Sequence, residues 1–208
     1  MGAKQSHTIS VIVPYVKDRG YLEQCMESLD KQTFQDFELI LSKSEESLPV
    51  NFNRGLAKAK GEFIKMVQDD DWLPPDGLKH LVEHIHVSPW IVGDVWQCRE
   101  NRRPFIHKPP YLDFKRQVEH YDMHMGSTLY RRDVLEDIGG MDETLLTGEE
   151  YDMHLKLLQR GYQPAYIAKP VYCYRMWSGG KSVIFRQQNK EWRKNELEKI
   201  RTRYINAL

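Results

Sequence analysis

The stretch TISVIVPYV (residues 8–16) is a nearly continuous apolar run of strand length. A strand that is covered by helices on both faces has this composition, whereas a strand with one solvated face alternates apolar and polar residues. The run therefore predicts a central strand of a parallel sheet and a protein of the α/β class.

Helices and strands alternate after this first strand. Residues 21–32 carry apolar side chains at helical spacing, and residues 37–42 (FELILS) and 62–67 (EFIKMV) are apolar runs of strand length. Residues 51–61 indicate a short helix that ends at a glycine. Such a βαβαβ succession forms a parallel sheet whose ligands bind at the carboxyl ends of the strands. We therefore expect a binding site where the third strand ends.

Three consecutive aspartates follow the third strand in the stretch FIKMVQDDDWLPPD (residues 63–76). Adjacent carboxylates repel one another and lose solvation on burial, so such a cluster is stable on open surface or around a cation. The position of Asp69, Asp70 and Asp71 at a strand end favours the cation. The alternative interpretation is a solvated acidic turn in which Asp71 caps the following helix.

The second half of the chain continues the alternation around one irregular segment. Residues 99–125 are basic, aromatic and proline-containing without a sustained period, which is typical of a functional or mobile loop. For the remaining residues we predict a helix over 76–87, a strand over 90–98, a strand and a short helix over 126–140, a helix over 148–161, strands around 165–167 and 171–175, and a charged helix from about 185 to 204.

Composition narrows the class of protein. The 208 residues are enough for one sizeable domain. With 30 basic and 30 acidic residues there is no global field that would draw the chain onto nucleic acid or anionic lipid. The three cysteines lie far apart, which fits neither a disulfide framework nor a structural zinc site, and no run of about 18 apolar residues occurs. We expect a soluble cytoplasmic protein without a transmembrane segment and without a nucleic-acid partner.

Two features leave peripheral membrane association open. The opening MGAKQS matches the N-myristoylation pattern at Gly2 and Ser6, although an ordinary flexible N-terminus explains the same residues. The last helix carries an excess of Lys and Arg, but its narrow apolar stripe favours packing on the domain over insertion into lipid.

The chain resembles the family 2 glycosyltransferases with the GT-A fold. The resemblance covers about residues 8–182, and its motifs follow the order found in the family. They are ISVIVPY, YLEQCMESLDKQTFQDFELI, NRGLAKAKGEFI, DDDWLPPDGL, GSTLYRRDVLEDIGGMDE, TGEEYDMHLKLLQRG and VYCYR.

The resemblance implies a fold, a reaction and a cofactor. It implies a single α/β domain, a GT-A (Rossmann-like) mostly parallel sheet flanked by helices, over residues 1–183. The donor half is then about residues 8–98 and the acceptor half about 99–183, and residues 184–208 form a helix packed on the domain or leading to a further one. It further implies transfer of a sugar from a nucleotide donor to an acceptor hydroxyl with inversion, assisted by Mn²⁺ or Mg²⁺.

The resemblance also assigns roles to the aspartates. The family pattern D-x-D-D, aligned on WLPPD, places Gln68 where the first aspartate is expected. Asp71 is then the expected direct metal ligand, together with Asp69. Asp69 and Asp70 are also expected to hold the donor ribose, phosphate or metal-bound waters.

A base that takes the proton from the acceptor hydroxyl is the second requirement. In the family it is the second residue of an acidic pair before x-D-L, which places Glu150 at this position, with glutamate replacing the usual aspartate. Glu149 and Asp152 are the other candidates. In the purely structural interpretation, all three carboxylates complement the positive end of a helix dipole.

The remaining donor contacts depart further from the family. The expected contacts are Pro14, Ser42, Arg54 and Arg175. The family's nucleotide-contacting DDGS-like segment is replaced by LSKSEES (residues 41–47), and Trp177 stands where a histidine often follows the tyrosine–arginine pair. These departures favour an alternative function, a nucleotide-sugar-binding module with weak or lost catalysis.

The resemblance indicates only the general classes of donor and acceptor. A UDP-sugar is the first expectation for the donor, with GDP- or TDP-sugars as alternatives, and the acceptor is a glycan, lipid-linked or protein-linked saccharide. The segment 99–125 offers aromatic candidates for an acceptor rim. It also offers basic residues that either meet an anionic acceptor or only solvate the loop. The aromatic residues are Phe105, Tyr111, Phe114 and Tyr121, and the basic residues are Arg99, Arg102, Arg103 and Lys108.

Overall fold

The structure is a computed structural model that describes residues 7–109, 112–120 and 123–206. The N-terminal pattern at Gly2 and Ser6 and the loop aromatics Tyr111 and Tyr121 lie outside these residues.

Strands and helices alternate along most of the described chain. The strands are β1 (Ile9–Tyr15), β2 (Phe37–Lys43), β3 (Phe63–Met66), β4 (Trp90–Arg99), β5 (Phe105–His107), β6 (Thr128–Arg131) and β7 (Pro164–Met176). The helices are α1 (Leu22–Asp30), α2 (Leu48–Leu56), α3 (Gly77–Val82), α4 (Phe114–Glu119), α5 (Arg132–Asp137), α6 (Glu149–Gln159), α7 (Lys181–Gln188) and α8 (Lys190–Ile205), with a 3₁₀ turn at Met125–Ser127.

The strands of the described part form one mixed sheet of seven. β1 lies between β2 and β3 and runs parallel to both, as the βαβαβ pattern predicts. β6 joins this parallel half to β4 through antiparallel pairings. β7 then runs parallel along the whole of β4, and β5 pairs with β4 further along the edge that β6 uses. The prediction of a single α/β domain with a mostly parallel sheet flanked by helices is confirmed.

The central strand β1 is covered on both faces. Ile9, Val11 and Val13 pack with the apolar faces of α1 and α3, whereas Ile12 packs on the opposite side with α2, α5 and α6. The contact with α2 requires a glycine, because a Cβ at Gly55 would lie 2.5 Å from Ile12 Cγ2. The continuous apolar run in the sequence has its cause in this burial on both faces.

The predicted element boundaries need five corrections. The helix predicted over 51–61 is α2 (Leu48–Leu56), which begins earlier and ends before Gly61. The segment 99–125 is not irregular throughout, because it contains β5 and α4. The predicted helix 76–87 is shorter, ending at Val82, and the two strands predicted near the end are the single strand β7. The charged helix is divided into α7 and α8.

Local capping and tertiary packing together explain the helix α4. Its N-cap Asp113 accepts a hydrogen bond from the Arg116 N–H at 3.0 Å, and Val118 is buried in a cluster with α6 and α8. Ile200 and Tyr204 attach α8 to the same cluster. No helix in the described ranges is long and apolar enough to cross a membrane.

Candidate active site

A cavity of about 960 Å³ opens at the carboxyl ends of the central strands. Its walls come from the end of β1, the residues after β3, the start of α6, the end of β7 and one face of α8. Its lining includes many ionisable side chains. Among them are Arg19, Asp69, Asp70, His124, Glu149, Glu150, Arg175, Lys181, Lys190, Arg193, Lys194 and Arg201.

The aspartates after β3 are divided by a turn. The Asp71 N–H donates to the Gln68 carbonyl at 3.1 Å, and the next residue, Trp72, pairs with Cys173 of β7. Asp69 and Asp70 line the cavity, whereas Asp71 lies outside its lining and is 1% exposed. The chain thus leaves the third strand, presents two carboxylates to the cavity and joins the end of β7.

Asp71 connects the aspartate turn to β7. Its Oδ2 accepts a hydrogen bond from the Tyr172 hydroxyl, and its Oδ1 accepts one from the Arg175 N–H, both at 2.7 Å. Burial, together with the neighbouring Asp70, raises the pKa of the Asp71 carboxyl well above its ordinary value. Both carboxylate oxygens of Asp71 thus accept hydrogen bonds from within the protein.

Asp69 and Asp70 form a compact acidic pair at the cavity wall. Burial and the adjacent Asp70 carboxylate raise the pKa of Asp69 to about 6. Asp70 Oδ2 accepts a hydrogen bond from the Trp177 indole N–H at 3.0 Å and lies 4.0 Å from the Arg19 guanidinium. The tryptophan that replaces the family histidine thus donates to one of the aspartates.

Arg175 is fixed beside this pair. Its guanidinium lies 4.1 Å from the Tyr21 ring centroid and 4.8 Å from that of Trp72, and its Nε donates to the Asp70 carbonyl at 2.7 Å. The side chain also donates to the Gln24 amide oxygen. A cation held by two aromatic rings and two hydrogen bonds is preorganised to meet an anion in the cavity.

The first turn of α6 supplies the second acidic group of the cavity. Gly148 precedes it with φ 75°, and a Cβ there would lie 2.7 Å from Ile200 Cδ1 of α8, so only glycine fits. Glu150 Oε2 accepts a hydrogen bond from the Met125 N–H at 2.9 Å, and Glu149 pairs with Lys181 at 2.6 Å. Both glutamates line the cavity.

Asp152 lies on the opposite side of this turn. It is fully buried and accepts a hydrogen bond from the Tyr204 hydroxyl at 2.8 Å. Lys156 pairs with it at 2.9 Å and Arg203 at 3.3 Å. Tyr204 and Arg203 connect α6 to α8 through Asp152, whereas Lys156 lies on α6 itself. Asp152 lies outside the cavity lining.

The turn before β6 also belongs to the site, although the sequence pattern assigned no role to its histidine, which lies in the segment 99–125. His124 lines the cavity, its Nδ1 accepts a hydrogen bond from the Gly126 N–H at 3.0 Å, and its ring lies 4.7 Å from that of Tyr174. A Cβ at Gly126 would lie 2.2 Å from the Tyr172 ring. The one available signal in the sequence was the glycine of the triplet HMG (residues 124–126), which lies shortly before β6.

Lys65 is a second residue that the sequence interpretation missed. The side chain is fully buried on β3, its Nζ donates to the Gly126 and Met66 carbonyls, and it lies 5.0 Å from the Tyr172 ring centroid. Burial lowers the pKa of Lys65 to about 7, although the nearby Asp71 opposes this shift. Lys65 thereby links β3 to the turn that supports Glu150.

The structure gathers only some of the predicted site residues. Pro14, Asp69, Asp70, Glu149, Glu150 and Arg175 lie around the cavity, and Ser42, Arg54, Asp71 and Asp152 lie outside its lining. Ser42 is buried near the end of β2, and Arg54 is half exposed and paired with Glu46. Among the described residues, no group of three or more His, Cys, Asp or Glu side chains is placed to hold a metal ion.

Comparisons with known proteins agree with this architecture. The family model "Glycosyl transferase family 2" matches residues 42–139. The uncharacterized glycosyltransferase EpsJ of Bacillus subtilis is 23% identical over 80% of this chain and 60% of its own length. An uncharacterized glycosyltransferase of Haemophilus influenzae is 25% identical over 79% of this chain and 67% of its own.

Solved structures share the fold. Residues 1–349 of S. aureus TarS in complex with UDP-GlcNAc match with a TM-score of 0.68 and 21% identity, over 83% of this chain and 60% of that one. The UDP complex of the same protein matches with a TM-score of 0.62 and 18% identity, over 96% of this chain and 72% of that one.

The chain is shorter than the proteins it matches, spanning 60% of the length of EpsJ. The matched segment 42–139 contains the aspartate turn and the turn that supports Glu150. The family-model match and the glycosyltransferase relatives together support the resemblance to glycosyl transferase family 2, and the fold shared with TarS is the GT-A fold.

Proposed function

We propose that the cavity binds a nucleotide-sugar and transfers its sugar, with inversion, to an acceptor hydroxyl. The observation that carries this proposal is the placement of two acidic groups in one cavity, Asp69 with Asp70 from the end of β3 and Glu150 from the start of α6. A transferase of this kind needs positive charge at the leaving diphosphate, which carboxylates provide by holding a cation, and a base at the attacking hydroxyl. The cavity offers both.

Glu150 is the proposed base. The Met125 N–H orients its carboxylate, and Lys65 supports that turn through the Gly126 carbonyl. In the proposed reaction, Glu150 takes the proton from the acceptor hydroxyl, and the hydroxyl oxygen attacks the anomeric carbon. The bond to the nucleoside diphosphate breaks on the opposite face, and the diphosphate leaves with the electron pair.

Arg175 and Arg19 are the cations on the donor side. Both line the cavity beside Asp70, and Arg175 is held in place by its ring contacts and hydrogen bonds. Guanidinium groups pair bidentately with phosphate oxygens. We propose that Arg175, and Arg19 from its more exposed position, stabilise the charge that develops on the leaving diphosphate.

Asp69 and Asp70 fit a divalent cation better than Asp71. Mn²⁺ and Mg²⁺ prefer hard carboxylate and phosphate oxygens, and the Asp69–Asp70 pair presents carboxylates whose mutual repulsion a cation relieves. Both oxygens of Asp71 are taken by Tyr172 and Arg175. We therefore assign metal binding to Asp69 and Asp70. A bound cation would neutralise charge on the donor diphosphate.

A UDP-sugar is the proposed donor. The structures of TarS with UDP-GlcNAc and with UDP share this fold and support that choice. The end of β1 and the start of α2 provide a wall for the nucleoside through Tyr15 and Asn51. The Asn51 amide is fixed, since it donates to the Tyr15 carbonyl at 3.4 Å and accepts from Ser44 at 2.7 Å.

A turnover assay tests the proposal. Release of nucleoside diphosphate is measured from UDP-, GDP- and TDP-sugars with Mn²⁺, Mg²⁺ or chelator, first without acceptor and then with a saccharide panel. We expect metal-dependent release from one nucleotide series, accelerated by an acceptor, and a product with inverted anomeric configuration. Absence of release from every donor, with an intact fold, would contradict the transferase.

A nucleotide-sugar-binding module without turnover is the second candidate. Two observations favour it: Asp71, at the expected metal position, is occupied by protein hydrogen bonds, and Trp177 replaces a residue that could ligate a metal. Tight donor binding combined with no turnover on any acceptor would support this module over the enzyme.

A further inference from the structure

Lys65 is a fully buried cation that lies outside the lining of the cavity. Because side chains alternate along a strand, Lys65 shares a face of β3 with Phe63 and Val67, which belong to the apolar cluster around α1 and α3. Burial of an ammonium group among apolar side chains is costly. An apolar side chain of similar length would fill the position at less cost, so packing alone does not explain the lysine.

The ammonium group of Lys65 holds the turn that contacts the proposed base. Its Nζ donates to the Gly126 carbonyl, which lies in the 3₁₀ turn Met125–Ser127. In the same turn, the Met125 N–H donates to Glu150 Oε2 at 2.9 Å. Because the carbonyl and the N–H belong to one short turn, a displacement of the Gly126 carbonyl would also displace the hydrogen bond that orients Glu150.

The same ammonium group lies against the residue that fixes the aspartate turn. Lys65 Nζ is 5.0 Å from the Tyr172 ring centroid. The Tyr172 hydroxyl accepts a hydrogen bond from the Gln68 N–H at 3.1 Å and donates to Asp71 Oδ2 at 2.7 Å. Gln68 and Asp71 are the two ends of the turn whose other carboxylates line the cavity. Lys65 therefore lies between the donor side and the base side of the site.

The packing around Lys65 leaves little room for adjustment. A Cβ at Gly126 would lie 2.2 Å from the Tyr172 ring, so the turn and the tyrosine are in direct contact. Lys65 Nζ also donates to the Met66 carbonyl at 3.2 Å, which fixes the ammonium group relative to its own strand. Strand, tyrosine and turn are thus held in one arrangement.

We propose that Lys65 is a positioning residue for the sugar transfer, which holds Glu150 in register with the donor bound at the aspartate turn. This inference rests on the proposed function and adds to it a residue outside the cavity. The attack requires base, acceptor hydroxyl and anomeric carbon in one geometry, and a displacement of about 1 Å can cost about 10²-fold in rate. Lys65 acts on this geometry through Gly126 and Tyr172 and takes no part in the proton transfer.

A double-mutant cycle with the proposed base tests the inference. Release of nucleoside diphosphate is followed with UDP-GlcNAc, or with whichever donor the turnover assay shows to be faster, in the presence of Mn²⁺ and the best saccharide acceptor. Lys65→Met removes the ammonium group and keeps a side chain of similar length. We expect kcat to fall about tenfold or more and the KM for the donor to change less than about threefold.

The second half of the cycle repeats the substitution without the base. In the Glu150→Gln background, we expect Lys65→Met to change kcat less than about twofold, because no base is left to position. A lysine that only stabilised the fold would instead cause the same fold-loss of kcat in both backgrounds.

Ile64→Val is the matched control. Ile64 precedes Lys65 on β3 and is also fully buried, but it packs in the cluster on the opposite face of the sheet from Tyr172. We expect the lost methyl group to lower the melting temperature and to leave kcat within about twofold of the wild-type value. A loss of kcat as large as that of Lys65→Met would show that any weakening of β3 has this effect, and would overturn the inference.

Lys65→Arg provides a second cycle, which carries the test if Lys65→Met does not fold, as judged by thermal unfolding. Arginine keeps the positive charge and the hydrogen-bond donors but presents them in a rigid planar group. We expect a smaller loss of kcat than in Lys65→Met, and again no loss in the Glu150→Gln background.

Two further outcomes would overturn the inference. They are a wild-type kcat in a folded Lys65→Met chain, and equal fold-losses of kcat in the wild-type and Glu150→Gln backgrounds. Failure of the wild-type chain to release nucleoside diphosphate from any donor would instead refute the proposed function, so the two failures are distinguishable.

Discussion

Two acidic triplets border the same cavity and are built on the same plan. In each, two carboxylates line the cavity and the third is buried and accepts a hydrogen bond from a tyrosine hydroxyl of a later element. The β3 triplet is Asp69, Asp70 and Asp71, and the α6 triplet is Glu149, Glu150 and Asp152.

The buried members differ in their other partners. Asp71 receives only uncharged donors, the Tyr172 hydroxyl and the Arg175 N–H, at its two oxygens. Asp152 is paired with the cations Lys156 and Arg203. Through Arg203, the charge of Asp152 helps to hold α8 on α6, whereas burial disfavours the charge of Asp71. Carboxylates that look equivalent in the sequence thus have separate roles.

Glu150→Gln gives the largest expected effect. The amide keeps an oxygen for the Met125 N–H but cannot take a proton from the acceptor hydroxyl. We expect turnover to fall about 10²- to 10⁴-fold, as is typical for loss of a general base. Donor affinity and the melting temperature should stay at wild-type values, as measured by UDP titration and thermal unfolding. Turnover at the wild-type rate would contradict this role and indicate that Glu149 is the base.

Asp152→Asn tests the structural member of the α6 triplet. The amide loses the charge that Lys156 and Arg203 neutralise, and these two partners are partly exposed. We expect the free energy of unfolding to decrease by about 2 kcal/mol, within the range for hydrogen bonds to charged groups. Denaturant unfolding measures it. Unchanged stability combined with lost turnover would contradict the structural role and place Asp152 in the reaction.

Asp70→Asn tests the cavity-facing member of the β3 triplet. It removes a carboxylate that Arg19 and Trp177 approach, and with it a proposed metal ligand. We expect Mn²⁺-dependent UDP binding to weaken about tenfold or more, as for the loss of one ligand interaction. Metal-independent UDP binding should change little. Equal losses with and without Mn²⁺ would show that Asp70 contacts the nucleotide rather than a metal.

Asp71→Asn is expected to have the smallest effect on stability. Because the pKa of Asp71 is raised, the folded chain keeps a proton that the unfolded chain releases. The free energy of unfolding of the wild-type protein therefore decreases as pH rises from about 4. The amide does not titrate. We expect a change of less than about 1 kcal/mol at pH 7 and a gain in the variant's relative stability between pH 4.5 and 7, measured by denaturant unfolding. A loss of several kcal/mol at pH 7 would contradict this account.

The sequence predicted the sheet better than the site. Burial of β1 on both faces leaves a continuous apolar run in the sequence. The end of β3 is likewise marked by the aspartates that follow its apolar run. Lys65 carries no such signal, since a lysine in a strand ordinarily predicts an exposed position. Its burial depends on Tyr172 and Gly126, which are distant in the chain.

The sequence also did not indicate which carboxylates of each triplet line the cavity and which one is buried. The partners that bury Asp71 and Asp152 are Tyr172 and Tyr204, and both lie more than 50 residues further along the chain. The contribution of α8 to the cavity was missed for the same reason. Tertiary contacts, not residue type, decide which carboxylate faces the cavity.

Calorimetric titration of UDP, GDP and TDP into the wild-type chain, with Mn²⁺ or with chelator, tests the central claim most directly. The proposed nucleotide-sugar site predicts saturable binding of one nucleotide per chain, with UDP the first expectation, and a marked loss of affinity when Mn²⁺ is removed. If no nucleotide binds under either condition, the cavity is not a nucleotide-sugar site.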